Sequence, residues 1–290
     1  MVSRRGARPS TVFGLSLTLA AATAAGRGSP SFAEALAQAD EQYARRAEGA
    51  RGALALPGPV EEAIAGYRQA LSLRPDSTEA RSGLVRALFF RATFCGSSPE
   101  EKKRIFEEAR RIGEEGVARL DAAAAGTEGA ARAAALRRVP GAGEVVFWAA
   151  VAWGEWALGR RRLAAVRAGA PGRIRDLAQL VIDVDPDLEE GGGYRVLGRL
   201  HDQSPSIPFV TGWVSRETSL RCLRQAYAAF PDNTVNQYFL AEAILRHDHS
   251  HREEARTLLA RLAAVEPKEE YRVEDAHYAA LARDLLARMR

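Results

Sequence analysis

The chain has 290 residues, of which 47% are hydrophobic and 27% are charged, and its formal net charge is +4. This length and composition are enough to bury a substantial core, and they exclude a disordered chain and a polytopic membrane protein. Three of the positive charges, Arg4, Arg5 and Arg8, lie at the start, so the rest of the chain is nearly neutral and offers no electrostatic case for binding nucleic acid.

The first 28 residues have the pattern of an export signal. Arg4, Arg5 and Arg8 precede an apolar run at residues 12–25, which is too short to span a bilayer comfortably and ends among small residues. We therefore expect residues 1–28 to be a signal peptide or a short N-terminal anchor. The protein is then expected to be periplasmic or secreted, with membrane contact at most through its N-terminus.

The rest of the chain, residues 29–290, has the pattern of a single all-α domain. Apolar residues recur three and four positions apart, and the alternation with period two that strands require never persists. The spacing predicts helices near residues 33–48, 59–74, 77–94, 99–120, 144–159, 172–184, 193–203, 215–230, 233–246, 251–264 and 270–289, with a weaker one near 128–137.

The second predicted helix is the clearest unit. Ala63, Tyr67 and Ala70 share one of its faces, and Pro75 follows five residues later. A small residue, an aromatic residue, a second small residue and a terminal proline are typical of the second helix of a tetratricopeptide repeat, because small residues let neighbouring helices approach closely. The next helix is expected to begin after an N-cap at Asp76.

Proline–aspartate pairs recur at predicted helix ends, and a looser copy has Pro267 after a glutamate. The 36 residues from Pro231 to Pro267 are close to the 34 residues of a tetratricopeptide repeat. The longer interval before Pro231 is explained by an inserted loop at residues 204–214. We therefore predict stacked antiparallel helix pairs in a degenerate, tetratricopeptide-repeat-like (TPR-like) array. The pairs are Pro75-Asp76, Pro186-Asp187 and Pro231-Asp232.

Two stretches depart from this regularity. Residues 122–143 are rich in Ala and Gly and predict an irregular segment with weak helical potential. The helix that follows is apolar nearly all round and holds three of the four tryptophans. Its aromatic side chains either join helices together as core or line a cavity for an apolar ligand. The candidate cavity residues are Phe147, Trp148, Trp153, Trp156, Tyr194 and Trp213.

Arginines cluster directly after this helix, at Arg160, Arg161, Arg162 and Arg167. One interpretation is the solvated end of a helix. The other is a basic patch that docks against the acidic surface of a partner protein.

Three histidines, His247, His249 and His251, lie within five residues. Such a cluster can bind a metal ion, but no His-Glu-x-x-His motif and no cysteine pair accompanies it. The stretch is better explained as the turn between two helices, with Ser250 and Glu253 forming a capping box for the second. We therefore predict no metal site, and a metal-dependent enzyme is the less favoured alternative.

The two cysteines, Cys95 and Cys222, allow two interpretations. An exported protein could join them in a disulfide. Because both fall on predicted helices, they could equally be small buried side chains, which is the interpretation we favour.

Motifs for catalytic or cofactor chemistry are missing from the sequence. No glycine-rich stretch has the flanking residues of a phosphate-binding loop, and no Gly-x-Ser-x-Gly elbow occurs. We therefore predict a non-enzymatic protein without a cofactor.

Three stretches, residues 147–159, 184–205 and 219–244, resemble the T-component family of TRAP transporters. The most specific pieces are the Trp-Gly helix and the run Gly-Gly-x-Tyr-Arg-x-Leu-Gly-x-Leu. The resemblance implies an exported helical subunit, built on degenerate tetratricopeptide repeats, that forms a homotrimer with a central pore. Its implied partner is the substrate-binding component of a TRAP transporter, which delivers small organic acids or other ligands.

These observations together predict an exported, non-enzymatic TPR-like protein that binds a partner protein and a small apolar or organic-acid ligand. The lipid-modified cysteine of many T-components is missing after the apolar run, which argues against a lipid anchor. The alternative function is that of a general cell-envelope assembly adaptor built on the same repeats.

Overall fold

The computed structural model describes residues 30–208 and 210–289, and within them every regular element is helical. The only pairing of strand type in this part is an isolated bridge between Arg51 and Leu54. The prediction of an all-α protein is confirmed. None of the helices in these two ranges is long and apolar enough to cross a membrane. The predicted export signal at residues 1–28 lies outside the described residues.

The helices follow one another in the chain order that the apolar spacing predicts, and successive long helices pack against each other in antiparallel pairs. Two short helices, α5 and α7, connect longer ones, so that α4 packs on α6 and α6 packs on α8. The elements are α1 (Phe32–Ala44), α2 (Pro57–Leu73), α3 (Thr78–Phe94), α4 (Pro99–Ala123), α5 (Gly129–Leu136), α6 (Ala142–Leu158), α7 (Arg162–Arg167), α8 (Ala170–Val184), α9 (Leu188–Gln203), α10 (Arg216–Ala229), α11 (Thr234–His247), α12 (Arg252–Ala263) and α13 (Arg272–Arg288).

The small–aromatic–small face of α2 is buried between its neighbours. Ala63, Tyr67 and Ala70 are fully buried, and the Tyr67 hydroxyl donates a hydrogen bond of 2.6 Å to Asp40 of α1. On the other side, a Cβ at Gly83 of α3 would lie 2.6 Å from the Tyr67 ring. The ring therefore fills a groove that exists because residue 83 has no side chain.

The proline–aspartate pairs lie in turns between helices, as predicted, and local capping residues fix where each helix begins. Ser98 accepts a hydrogen bond from the Glu101 amide, with Pro99 as the first residue of α4. The predicted N-cap at Asp76 is wrong by one residue. Asp76 belongs to the turn, and the Ser77 hydroxyl accepts the hydrogen bond from the Ala80 amide that caps α3.

The two predicted irregular stretches differ in regularity. Much of residues 122–143 is helical, because the apolar face of α5 (Ala133 and Leu136) is buried and α5 packs against α8. The loop at residues 204–214 connects α9 to α10. It is organised around the buried hydroxyl of Thr211, which accepts from the Ile207 amide and donates to the Pro205 carbonyl.

The two ends of the helical array meet. The Arg46 guanidinium, just after α1, is paired with the Glu274 carboxylate of α13 at 3.0 Å, and its side chain is only 7% exposed. The Arg272 guanidinium donates to the Ala47 carbonyl, and the ring of His277 packs edge-on against Phe94 of α3 at 5.3 Å between centroids. We call these contacts the end closure. They bring α13 across the array and so form one wall of a cavity.

Both cysteines are free thiols, so the disulfide interpretation is wrong. Cys222 is buried on α10, whereas Cys95 caps the end of α3 and is only partly buried. Burial raises the pKa of the Cys95 thiol to about 11, and it also raises the pKa of the Cys222 thiol.

We therefore expect both thiols of the folded protein to react slowly with Ellman's reagent near neutral pH, because little thiolate is present. After unfolding in guanidinium chloride without reductant, two thiols per chain should react quickly. Finding no reactive thiol in the unfolded chain would instead indicate a disulfide.

Candidate functional site

The helical array encloses a cavity of about 1220 Å³, which is large for a small-molecule site. Its lining residues come from α1, α3, α6, α9, α11 and α13, together with the segment around α7. These elements are far apart in sequence, and the end closure brings the last of them next to the first. The cavity has an aromatic wall and a set of charged groups on its lining. Neither set follows a simple pattern in the sequence.

The aromatic wall is formed mainly by α3 and α6. The Trp148 ring lies 5.7 Å from Phe89 and 5.1 Å from Phe147, and Phe89 lies 6.0 Å from Phe94, all measured between centroids. A Cβ at Gly192 of α9 would lie 2.5 Å from the Phe147 ring, so α9 can approach only because it carries glycine there. Such a wall suits an apolar or aromatic ligand.

Three glutamates on the cavity lining, Glu155, Glu189 and Glu274, share one property. Burial raises the pKa of each carboxyl, although nearby cations oppose the shift. The opposing cations are Arg199 and Lys102 for Glu155, and Arg46 for Glu274. Desolvation of these three carboxylates therefore outweighs the stabilisation that the neighbouring cations provide.

A left-handed turn carries Glu189 into the site. Glu189 (φ 50°), Glu190 (φ 54°) and Gly191 (φ 78°) have positive φ in succession, which is strained for the two glutamates. The buried guanidinium of Arg195 holds the turn by donating to the Glu189 carbonyl at 3.0 Å and the Glu190 carbonyl at 3.3 Å. The same guanidinium donates to Asn236 of α11 at 2.9 Å. Strain maintained in this way is typical of functional sites.

The predicted aromatic residues divide between the cavity and other contacts. Phe147 and Trp148 line the cavity, whereas the cavity lining in the described residues does not include Trp153, Trp156, Tyr194 or Trp213. The indole N–H groups of Trp153 and Trp156 point to carboxylates of α4, Glu114 and Glu107 respectively. Trp213 packs edge-on against His201 at 5.4 Å, and Tyr194 is partly buried on α9.

The predicted basic patch lies around α7. Arg161, Arg162 and Arg167 are exposed, and Arg162 also lines the cavity. Arg160 is paired with Glu107 at 2.6 Å and lies over the Trp156 ring at 4.8 Å. Two exposed leucines, Leu158 (61% exposed) and Leu163 (63% exposed), accompany these arginines. The patch therefore combines positive charge with apolar surface at the edge of the cavity.

The three clustered histidines lie at the turn between α11 and α12, and two of them, His247 and His251, contact different carboxylates. His247 contacts Asp202 at 2.9 Å, and His251 contacts Asp248 at 2.7 Å. Across residues 30–208 and 210–289, no group of three His, Cys, Asp or Glu side chains is placed to hold a metal ion.

The predicted capping box at this turn is wrong. A short 3₁₀ turn, His249–His251, precedes α12, and His251 occupies the N-cap position without a side-chain hydrogen bond. The Ser250 hydroxyl instead donates to the Asp248 carboxylate at 2.6 Å. Because of this 3₁₀ turn, α12 begins at Arg252, one residue later than predicted, so His251 replaces Ser250 at the N-cap position.

Most of the charged lining residues were missed by reasoning from the sequence, although Arg160 and Arg162 were predicted as part of a basic patch. One signal was available for Arg86, because buried apolar residues surround it on every side of α3. An arginine among buried apolar residues indicates either a buried ion pair or a polar cavity. For Glu189 and Arg195 the only local signal was the run of glycines between them.

The raised pKa values predict an unusual dependence of stability on pH. A carboxyl whose pKa is raised by folding stabilises the folded state below its ordinary pKa, about 4.3 for glutamate, and that contribution is lost as the pH rises through the raised value. We therefore expect Glu155→Gln to raise the melting temperature near neutral pH. As the pH falls, the melting temperatures of the variant and the wild type should become more similar.

A matched control variant, at a carboxyl whose pKa is lowered, should change the melting temperature in the opposite direction. The hydrogen bond from Arg110 lowers the pKa of Glu107, so its contribution is present near neutral pH and is lost as the pH falls. Glu107→Gln should accordingly lower the melting temperature near neutral pH. Scanning calorimetry of both variants across pH checks this, and an unchanged or lower melting temperature for Glu155→Gln at neutral pH would contradict it.

Comparison with known proteins gives no relative for this chain. No protein-family model matches it, and no curated protein matches its sequence. The candidate site combines an aromatic wall, charged groups on the cavity lining, and a basic, leucine-containing patch at its edge.

Proposed function

We propose that the protein is an exported, non-enzymatic TPR-like protein that holds a ligand with an apolar body in its cavity and binds a partner protein. The observation that carries this proposal is the aromatic wall of a cavity of about 1220 Å³ inside a closed helical array. Helical arrays of this kind offer concave surfaces for binding. The resemblance to T-components of TRAP transporters supports the same role.

The assignment of the helices to tetratricopeptide repeats is part of this proposal. It is supported by the buried Ala63, Tyr67 and Ala70 face of α2 and by the proline–aspartate turns between successive helices. The departures from a regular repeat are the short helices α5 and α7 and the left-handed turn within the first residues of α9.

Binding of a neutral apolar fluorophore, N-phenyl-1-naphthylamine, tests the ligand part of the proposal. Saturable binding with a blue-shifted emission is expected, because the dye would leave water for the aromatic wall. Val151→Trp, which fills the cavity from α6, should weaken binding, whereas Leu73→Trp on the exposed face of α2 should not. No saturable binding, or equal binding by both variants, would contradict a ligand in this cavity.

The basic, leucine-containing patch is the candidate contact for a partner, proposed by resemblance to be the substrate-binding component of a TRAP transporter. Capture from the native host with wild type and with Arg161→Glu/Arg162→Glu tests this. Recovery of that component by the wild type alone is expected. Recovery of only envelope-assembly machinery would favour the adaptor function instead.

Light scattering of the chain tests the proposed homotrimer, which a strictly monomeric mass would contradict.

A further inference from the structure

Arg86 of α3 is a cation on the cavity lining without an acidic partner. In the described ranges its guanidinium takes part in no ion pair, and its Nε atom is buried without a hydrogen-bond partner. The Tyr43 ring covers one face of the guanidinium, 4.3 Å from its central carbon. A buried guanidinium normally has its N–H groups paired, because desolvation of an unpaired charge is costly.

The other cations of the cavity lining differ from Arg86. Arg46, Arg160 and Arg199 are each paired with a carboxylate, and Arg195 is occupied by two carbonyls and an amide. Arg162 and Lys268 are exposed and keep their hydration. Arg86 has a hydrogen bond with Tyr67, but it combines partial burial with an unused Nε donor and no carboxylate partner, which none of the other six does.

The position of Arg86 relative to the aromatic wall gives the site two chemically different ends. Phe89 and Phe90 follow it by three and four residues on the same helix, so they lie on the same face. Phe89 is continuous with Trp148 and Phe147 across the cavity. A molecule lying along these rings would therefore have one end at the guanidinium.

The acid that acts on Arg86 through space does not form an ion pair with it. Glu189 lies close enough for its carboxylate to interact with Arg86 through space, but no ion pair joins the two side chains. The guanidinium fork is left without a carboxylate of the chain, and its geometry suits the carboxylate or the phosphate of a ligand.

We propose that Arg86 is the anion-binding residue of the cavity, which receives the acidic head of an amphipathic ligand whose apolar body lies against Phe89, Phe147 and Trp148. This inference rests on the proposed function, since it requires that the cavity is the ligand site. It adds that the ligand carries a negative charge at one end and that Arg86 selects for it.

Competition among three ligands with the same twelve-carbon body tests the proposal. Dodecanoate, dodecyl phosphate and dodecan-1-ol are titrated against bound N-phenyl-1-naphthylamine in the wild type, Arg86→Met and Arg111→Met. In the wild type, at least one of the two anions should bind about 10- to 100-fold more tightly than the alcohol, which corresponds to a charged hydrogen bond in a desolvated site. The stronger of the two anions identifies the carboxylate or the phosphate head.

In Arg86→Met the advantage of the anion should disappear, while the affinities for the alcohol and the dye stay within about twofold of the wild type. Arg111→Met, at an exposed arginine of α4 outside the cavity lining, should retain the advantage. Arg86→Met should not lower the melting temperature, because an unpaired buried charge is replaced by an apolar side chain of similar length. If Arg86→Met nevertheless fails to fold, Arg86→Gln provides the same comparison.

The outcomes separate this inference from the proposed function. Dye binding with equal affinity for anions and alcohol, or an anion advantage that survives in Arg86→Met, overturns the role of Arg86 and leaves the cavity as the ligand site. Absence of binding by the dye and by all three ligands, with calorimetry as a direct check for dodecanoate, overturns both.

Discussion

Replacing Tyr67 with alanine is expected to lower the free energy of unfolding by about 3–5 kcal/mol. The ring is fully buried between α1 and α3 and fits against Gly83, so its removal leaves a void that the helices can close only partly. The hydrogen bond from its hydroxyl to Asp40 is lost as well. Denaturant unfolding followed by circular dichroism measures the change.

Two control variants separate the ring from its surroundings. Tyr67→Phe keeps the packing and loses the hydrogen bond to Asp40, so a cost of about 1 kcal/mol is expected. Leu73→Ala, on the exposed part of the same helix, should change stability by less than about 0.5 kcal/mol. A cost for Tyr67→Ala that is no larger than that for Leu73→Ala would show that the small–aromatic–small face does not hold these helices together.

Arg195→Met is expected to lower the free energy of unfolding by about 2–4 kcal/mol. The guanidinium is buried and joins the left-handed turn to Asn236, so its loss leaves the Glu189 carbonyl and the Asn236 side-chain oxygen without this donor. Fewer hydrogen bonds then hold Glu189 and Glu190 in their strained positive-φ conformation. The same unfolding experiment measures the effect.

A backbone variant tests the turn independently of the arginine. Gly191 has φ of 78°, and a Cβ there would lie 3.3 Å from the Cα of Ala226, so Gly191→Ala should also be destabilising. Arg167→Met, an exposed arginine on α7, serves as the control and should have little effect. If both turn variants were as stable as the control, the left-handed turn would not be a strained element of the site.

The helices were predictable because their determinants are local. Side chains three and four residues apart share a helix face, so Ala63, Tyr67 and Ala70 could be assigned to a buried stripe without knowledge of the neighbouring helices. Pro75 and Pro231 likewise mark helix ends by chemistry that acts within a few residues. Exact starts were less certain, since Asp76 and Ser77 are both good caps and only the geometry of the turn decides between them.

The walls of the cavity could not be predicted, because they depend on which distant helices meet. Trp153 and Trp148 have similar surroundings in the sequence. The Trp153 indole nevertheless donates a hydrogen bond to Glu114 of α4, whereas Trp148 lines the cavity. The direction each ring takes is set by the packing of α6 against α4 on one side and α9 on the other. The contribution of α13 was equally hidden, since it depends on Arg46 pairing with a glutamate 228 residues later.

The end closure links ligand binding in the cavity to the contact between the first and last helices. In a linear repeat protein each unit contacts only its neighbours, whereas here Arg46 and Glu274 join the first and last units into a ring. Both side chains also line the interior, so a guest molecule that touches them adds its own binding free energy to the joint. Under the proposed function, ligand binding and the closure of the array would therefore be one coupled equilibrium, in which the ligand stabilises the Arg46–Glu274 contact and its release requires that contact to open.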